Sequence, residues 1–403
     1  MQTLTSYIHH IQKQSDNARA KELFSEYESL PIPTKRLEDW KFIDTHDWFE
    51  SSYVFTHKSA VTHEHVASAI ESLEFDALLV FENGTYHDSF SRPNSIASAI
   101  QNDFDSGTQY HCISKFECAT LLGAPSGAFV ESAEGQSKQH ILIVSFFHGA
   151  QSYSLQKNRI QVCANSHVVI TELQISLSNE PIRINQSVSI LCGQGSICEY
   201  TSVQRLGSES QLIQSILCFQ EQSSVCTVSN FPISGAYIRT DVRVEKNAAH
   251  AHTFLNGFFF PAMHEHFETY VQANHNAPEC ETHQLYRGIA KDNGFGVFSG
   301  KVHVARDAQK TNTTQNNKNI LLSDTAKIHS KPQLEIYADD VSCSHGSTTG
   351  QIDKEALWYM QARGISKKTA TQLLLGGFIA DVISKISEVS VHHMVMKELQ
   401  NKL

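Results

Sequence analysis

A regular alternation of side chains marks residues 237–244, Tyr237-Ile238-Arg239-Thr240-Asp241-Val242-Arg243-Val244. In an extended backbone successive side chains point to opposite faces, so Ile238, Val242 and Val244 share one face with the intervening threonine. The other face then carries arginine and aspartate. This pattern predicts a β-strand with one face in a hydrophobic core.

Similar short runs, rich in valine, isoleucine, threonine and aromatic residues, recur from about residue 140 to residue 336. Clear examples are 141–144, 160–162, 168–171 and 187–190. No long helical pattern interrupts them, which disfavours a parallel sheet with crossover helices. The residues therefore predict a mainly β body, and they leave sandwich, barrel and β-solenoid open.

The region before this body is predicted to be partly helical. Residues 18–28 are good helix formers, and Pro31 and Pro33 then end the helix. We assign residues 1–60 to an N-terminal helical region. Residues 61–139 mix short apolar runs with turn-rich stretches, so they form a mixed α/β segment that leads into a β-core at 140–350.

A second helical region is predicted over residues 351–403. Asp353 is a suitable N-cap for a helix that ends near Gly364, and Ser366 is a suitable N-cap for a following helix. Apolar residues recur in the second helix at spacings of three and four: Ala370, Leu373, Leu374, Phe378, Val382 and Ile386. Such a stripe packs against the chain's own β-body or against a second protein.

Composition excludes several classes of function. The 403 residues include 42 acidic and 32 basic side chains, a formal charge of −10, so attraction to a phosphate backbone is not expected. The longest apolar run, 141–147, is far shorter than the roughly 20 residues of a membrane-spanning helix. The N-terminus shows no basic segment followed by an apolar one. We expect no nucleic acid or membrane partner, and a cytoplasmic location.

Cysteine and histidine are the residues most suited to metal and redox chemistry. The nine cysteines contain no CxxC pair, so neither a zinc finger nor a disulfide framework is predicted, and most thiols are expected to be reduced and buried. The 22 histidines raise the possibility of metal or proton chemistry. No GxxxxGK[ST], GxSxG or HExxH motif occurs, so ATP hydrolysis by this chain is not expected.

One candidate enzyme site involves His264, His266 and Glu268. Two imidazoles and a carboxylate on a β-strand partly resemble the metal ligands of cupin-type dioxygenases. The later motif that supplies a third histidine in cupins is missing. A mononuclear iron enzyme is therefore the weaker hypothesis.

A sharper candidate lies in residues 338–346. If this segment is extended, Asp339, Cys343 and His345 point the same way. Thiolate and imidazole suit iron in an iron-sulfur cluster, and the carboxylate could receive incoming ferrous iron. A cluster takes about four protein ligands, so a second surface would have to supply the others. A buried strand without a ligand role is the alternative.

Residues 331–341 and 343–346, followed by the helix break at 363–365, closely resemble the SufD branch of the SufB/SufD family of the SUF iron-sulfur cluster assembly system. Further similar segments follow in the family's order at 286–288, 296–301, 309–311 and 319–323, and residues 36–41 are similar to its N-terminal motif. SufB often carries clustered cysteines near its N-terminus, whereas the first cysteine here is Cys112.

The resemblance implies a right-handed parallel β-helix between helical caps, acting as a non-catalytic scaffold subunit. It implies pairing with SufB through the β-helix and binding of the ATPase SufC through the C-terminal helices, where we expect contacts from Leu373, Leu374 and Phe378. A SufB-like chain that accepts sulfur directly is the main alternative.

The resemblance also implies a site. His345, with Cys343 beside it, would bind a transient iron-sulfur cluster or its iron at the SufB interface, and the isolated chain would hold no tightly bound cofactor. Because only neutral imidazole binds metal, loading should weaken at acidic pH. Reduced flavin on the assembled complex and a homodimer of the isolated chain are left open.

Overall fold

A computed structural model describes residues 1–15, 17–55, 58–101 and 111–402. Residues 102–110 of the predicted mixed segment lie outside the described residues. The helices are α1 (Leu4–Gln14), α2 (Ala18–Ser29), α3 (His46–Glu50), α4 (His63–Ala69), α5 (Lys115–Gly123), α6 (Lys354–Ala362), α7 (Lys367–Ile383) and α8 (Val389–Lys402).

The first strands are β1 (Ala77–Glu82), β2 (Thr85–Tyr86), β3 (Ala97–Gln101), β4 (Ser126–Glu131), β5 (Gln139–Phe147), β6 (Ser152–Val162), β7 (His167–Ser176), β8 (Ile182–Cys192), β9 (Ile197–Arg205) and β10 (Gln211–Gln220). They continue as β11 (Val225–Ser234), β12 (Tyr237–Lys246), β13 (His252–Phe259), β14 (His266–His275), β15 (Glu281–Ala290), β16 (Phe295–Val304), β17 (Thr311–Leu321), β18 (Lys327–Ile336) and β19 (Val341–Gln351).

From β4 onward, alternate strands enter two different sheets. One sheet has the order β19-β17-β15-β13-β11-β9-β7-β5-β1-β2 and the other has the order β18-β16-β14-β12-β10-β8-β6-β4-β3. Within each sheet a strand pairs in parallel with the strand two positions later, as β12 does with β14. The chain therefore forms a parallel β-solenoid of about eight turns. This confirms the mainly β prediction and the parallel β-helix between helical regions that the family resemblance implied.

The solenoid core is built from side chains stacked in register. Leu212, Ile238 and Phe267 are neighbours on β10, β12 and β14, and all three belong to the core cluster between the sheets. Val242 and Val244 belong to it as well, as the alternation in β12 predicts. Stacking like residues on successive turns removes apolar surface from water at every turn.

One corner of the solenoid repeats the same backbone conformation. A residue with φ between 57° and 63° occurs there on six successive turns: Asn165, Gly195, Ser223, His250, Glu279 and Lys310. The N–H group of each donates to a carbonyl of the next turn. Five of the six are not glycine, so these ladder hydrogen bonds help to offset the cost of a left-handed backbone.

The helices cover the outer faces of both sheets. α1, α2 and α5 pack with Tyr153, Ile213 and Tyr237 on the outer face of the sheet that contains β6, β10 and β12. α7 and α8 pack on the outer face of the sheet that contains β11 and β13, where they contact the apolar cluster of Phe231 and Phe258. No helix among the described residues has both the length and the apolar character needed to span a membrane.

A buried arginine joins the N-terminal region to the solenoid. The Arg239 guanidinium lies 3.7 Å from the Trp40 ring centroid and 3.9 Å from that of Tyr270. It forms ion pairs with Glu268 at 3.0 Å and Asp241 at 2.9 Å. These carboxylates compensate the charge of the buried guanidinium.

The predicted C-terminal caps are confirmed. The Asp353 side chain accepts hydrogen bonds from the first turn of α6, Ser366 caps α7, and Gly364 has a φ of 85° between them. The sequence prediction missed α8.

The predicted stripe on α7 is divided between a buried and an exposed environment. Ala370, Val382 and Ile386 are buried, but Leu373 is 56% exposed. Leu375 and Ile379 occupy the buried positions instead. Three consecutive leucines fit either face of a helix, so the pattern alone could not orient it.

Cysteine pairing differs from the prediction at one place. Cys112 and Cys118 form a disulfide, because the turn into α5 brings their side chains together. The other seven cysteines are free thiols; five are buried, and Cys163 and Cys343 are half-buried. The expectation of reduced, buried thiols therefore holds for most of the cysteines.

Candidate functional site

The candidate site lies at the C-terminal end of the solenoid. Among the strands that the structure describes, β19 pairs with β17 alone and β18 with β16 alone, so each strand is the edge of its sheet. The register places Cys343 beside Thr313 and His345 beside Gln315. Because Thr313 and Gln315 are buried, Cys343 and His345 lie on the inward-facing side of the last strand.

The two residues differ in their surroundings. Cys343 is half-buried and packs against a small apolar cluster that includes Val302, Val304 and Ala338. Burial raises the pKa of its thiol, since a thiolate is poorly solvated there. His345 is exposed. The imidazole is thus open to solvent, whereas burial favours the neutral form of the thiol.

Asp339 does not share the strand. It lies exposed in the bend before β19, which begins at Val341. The predicted alternation therefore does not extend back to Asp339. The donor atoms of Asp339, Cys343 and His345 do not all lie within 4.8 Å of one another. Among the described residues, one group of three potential metal ligands meets this distance, and it lies elsewhere in the chain.

Beneath the site the solenoid interior becomes polar. Gln315 donates to Gln284 at 3.1 Å, and Asn319 donates to Asn317 at 2.7 Å. Ser330 donates to the same Asn317 oxygen at 2.7 Å and lies 2.7 Å from the Ser347 hydroxyl on β19. A chain of hydrogen bonds thus connects the buried turns with the last strand.

Cys343 ends a column of small polar side chains that sequence reasoning missed. Register partners on successive turns are Cys198, Cys226, Thr253, Thr282, Thr313 and Cys343. They recur about every 30 residues, so a search for an approximate repeat of that length could have found them. No exact repeat marks it.

A buried lysine faces this column. Lys246 donates to Thr282 and lies 3.3 Å from Nε2 of His275. Burial lowers the pKa of Lys246 to about 7. Burial, and then the charge of Lys246, lowers the pKa of His275 to about 2, so this imidazole stays neutral.

The predicted partner-binding residues lie on α7 in three environments. Leu373 is exposed, Leu374 is half-buried, and Phe378 is half-buried against the solenoid with Arg287 5.8 Å from its ring centroid. Leu373 borders a groove of about 260 Å³ between α7 and α8. On α6, Trp358 is 71% exposed and Tyr359 is 57% exposed. An apolar surface therefore remains open on this helical region.

The cupin-type candidate does not form a three-donor group. His264 is exposed in the turn before β14, whereas His266 lies 2.7 Å from Glu268. Glu268 is fully buried and pairs with Arg239. The Glu268 carboxylate thus pairs with Arg239, the residue that also contacts Trp40 of the N-terminal region.

Comparison with protein families identifies this architecture. Residues 146–378 match the model for the SUF system FeS cluster assembly, SufBD core domain. The chain belongs to the SufBD family. The match covers most of the solenoid and extends through the first part of α7, so this SufBD protein carries the family core together with its candidate site.

Three relatives illustrate the range of similarity. SufD of Escherichia coli is 34% identical over 174 residues, which are 43% of this chain and 41% of that protein. An iron-sulfur cluster assembly SufBD family protein of Synechocystis is 25% identical over 90% of this chain and 86% of its own length. The chloroplastic protein ABCI7 of Arabidopsis thaliana is 23% identical over 93% of this chain and 83% of its own length.

Proposed function

We propose that this chain is a SufD-type scaffold subunit that pairs with a SufB-type chain through its open solenoid end. The observation that carries the proposal is the position of Cys343 and His345 on the inner face of β19, at the edge of a sheet. The resemblance of residues 331–346 to SufD supports this branch. The scaffold would hold the reacting species and leave ATP hydrolysis to a partner.

The edge strands favour such a pairing. Within the described part of the chain, β18 and β19 each present one row of backbone N–H and C=O groups that pairs with no other strand. Backbone groups at a sheet edge readily bind another strand, and a second solenoid end can extend both sheets together. The interior polar groups, such as Asn317 and Ser347, would then lie within the joined core.

The ligand count requires the second chain. Cys343 and His345 offer two donors, whereas a cluster takes about four protein ligands. We assign the stronger role to His345 for two reasons. By the resemblance, it corresponds to the family's interface histidine, and its side chain is exposed. Cys343 would join after iron or the partner lowers the cost of its thiolate. Asp339, exposed beside the strand, would receive ferrous iron before it reaches them.

The C-terminal helices are proposed to bind the ATPase SufC. Support comes from the exposed Trp358, Tyr359 and Leu373 and from the absence of a GxxxxGK[ST] motif in the sequence. Arg287 on β15 forms an ion pair with Asp381 on α7. Through this contact, a movement of α7 on ATP binding would reach the strands next to the site.

The ligand proposal is tested by reconstituting the coexpressed complex with SufB and SufC. In the His345→Ala complex we expect iron and acid-labile sulfide per complex to fall severalfold, because the partner's ligands are left incomplete. His264→Ala, which removes an exposed histidine from a turn, is the control and should load normally. Subunit ratios are measured in parallel to show that both complexes assemble.

Two results would overturn the proposal. Normal iron and sulfide content in an intact His345→Ala complex would remove the ligand role. A stable cluster on this chain alone would favour a SufB-like scaffold instead.

A further inference from the structure

A second group of metal-donor side chains lies in the N-terminal region, far along the chain from β19. Glu26 lies on α2, His111 and Cys112 immediately precede α5, and Cys118 lies within α5. Among the described residues, Glu26, Cys112 and Cys118 form the one group of three potential metal-binding residues whose donor atoms all lie within 4.8 Å of one another.

A neighbouring histidine contacts the carboxylate of this group. Nδ1 of His111 lies 2.9 Å from one Glu26 oxygen, and the backbone N–H of Cys112 donates to the other at 2.9 Å. The two oxygens of the Glu26 carboxylate thus contact the consecutive residues His111 and Cys112. Glu26 is positioned by the same contacts that fix the entry into α5.

Burial of the group resembles that of a metal centre with one open side. Cys118 is fully buried and Cys112 is 7% exposed. The side chain of Glu26 is 16% exposed, whereas that of His111 is 89% exposed. The sulfur atoms are shielded, and an ion could enter past the histidine.

We propose that, when the Cys112–Cys118 bond is reduced, these two thiolates bind a divalent cation of the zinc class together with Glu26. Two sulfur donors and one carboxylate oxygen leave the fourth tetrahedral position to water, an arrangement that Zn²⁺ accepts. The disulfide and the metal site exclude each other, because the same sulfurs serve both. The ion would tie α2 to α5 in place of the disulfide.

The proposal involves two chemical steps, reduction of the disulfide and binding of zinc. A phosphine reductant gives two electrons to the disulfide, and water supplies the oxygen of the phosphine oxide and the protons of the two new thiols. Zinc binding then releases these two protons as the thiolates form. The affinity for zinc should therefore fall at acidic pH.

The test uses the full chain, reduced with a phosphine and titrated with Zn²⁺ against a chromophoric chelator. We expect one zinc ion per chain. Cys118→Ser should weaken binding by about 100-fold or more, since loss of an outer-shell partner alone often costs 10- to 100-fold. Cys163→Ser, a half-buried free thiol elsewhere in the chain, is the matched control and should leave the affinity unchanged.

A second measurement does not depend on folding of a variant. Zinc should protect Cys112 and Cys118 of the reduced parent chain from alkylation, as read by peptide mass spectrometry, and should leave Cys163 unprotected. Failure of the reduced chain to bind zinc at one equivalent, unchanged affinity in Cys118→Ser, or equal alkylation with and without zinc would each overturn the proposal. None of these outcomes depends on assembly with SufB.

Discussion

Lys246 is a cationic residue placed where a charge is costly. It is fully buried in the solenoid, and its amine contacts Thr282 and His275 rather than a carboxylate. Removal from water lowers its pKa to about 7. An amine that is only partly protonated at neutral pH therefore adjoins the polar column that leads to Cys343.

This pKa predicts how stability depends on pH. In the unfolded chain a lysine titrates near ~10.4, so between about pH 7 and pH 10 the unfolded state holds a proton that the folded state lacks. The free energy of unfolding should then rise with pH across this window. Below it both states are protonated, and the folded state carries the full cost of the buried charge.

Lys246→Met should remove this rise. Urea unfolding at pH 7 and pH 9 should show the parent gaining about 2 kcal/mol more stability than the variant over the interval. Lys318→Met, which changes an exposed lysine on β17, is the control and should keep the parent's slope. Parallel pH profiles for the parent and Lys246→Met would contradict the assignment.

Helix α7 has two faces with separate consequences. Leu375, Ile379 and Val382 are buried against the solenoid, whereas Leu373 is exposed beside the groove toward α8. Phe378 belongs to neither face alone, because its side chain is half-buried against the solenoid. A charge at Phe378 would disturb packing as well as any partner contact, so Leu373 is the sharper probe.

Leu373→Asp should weaken SufC binding at least about tenfold, because it places a carboxylate in an apolar contact. Calorimetric titration of the purified chain with SufC measures the affinity, and the thermal midpoint of the free variant should stay within a few degrees of the parent. Met263→Asp makes the same change at a 69% exposed residue in a solenoid turn, where we expect no loss of affinity. Undiminished binding by Leu373→Asp would place the SufC surface elsewhere.

Across the whole molecule, order is expected to decrease toward the open end. The main core cluster reaches Phe298, and beyond it carboxamides and hydroxyls such as Asn317 and Ser330 share the interior with a small apolar cluster. β19 is exposed along most of its length and has one neighbour. A solenoid turn is stabilised mainly by adjacent turns, so the last turn is the least supported.

Hydrogen exchange should report this gradient. In the isolated chain, amides of β18 and β19 should exchange on the order of 100-fold faster than those of β10 and β12. Pairing with SufB should slow exchange in β18 and β19 and leave β10 and β12 unchanged. Equal protection before and after pairing would argue against the open end as the interface.

Local patterns predicted several elements because their causes are local. Alternation in 237–244 placed Ile238 in the core, and the Asp353 and Ser366 caps located α6 and α7. The same alternation put Cys343 and His345 on one face of β19. These outcomes depend on strand geometry and on the hydrogen bonds of a helix's first turn, both of which act within a few residues.

The sequence by itself determined that the chain forms β-strands between helical ends, and its residues 331–346 pointed to the SufBD family. Through that resemblance these residues also implied a β-helix. Only the tertiary structure decided that Lys246 and Thr282 meet inside it and that Asp339 lies off the strand of Cys343. The reason is physical. Strand propensity acts between neighbours in the chain, whereas pairing between turns about 30 residues apart depends on how every turn stacks on the next.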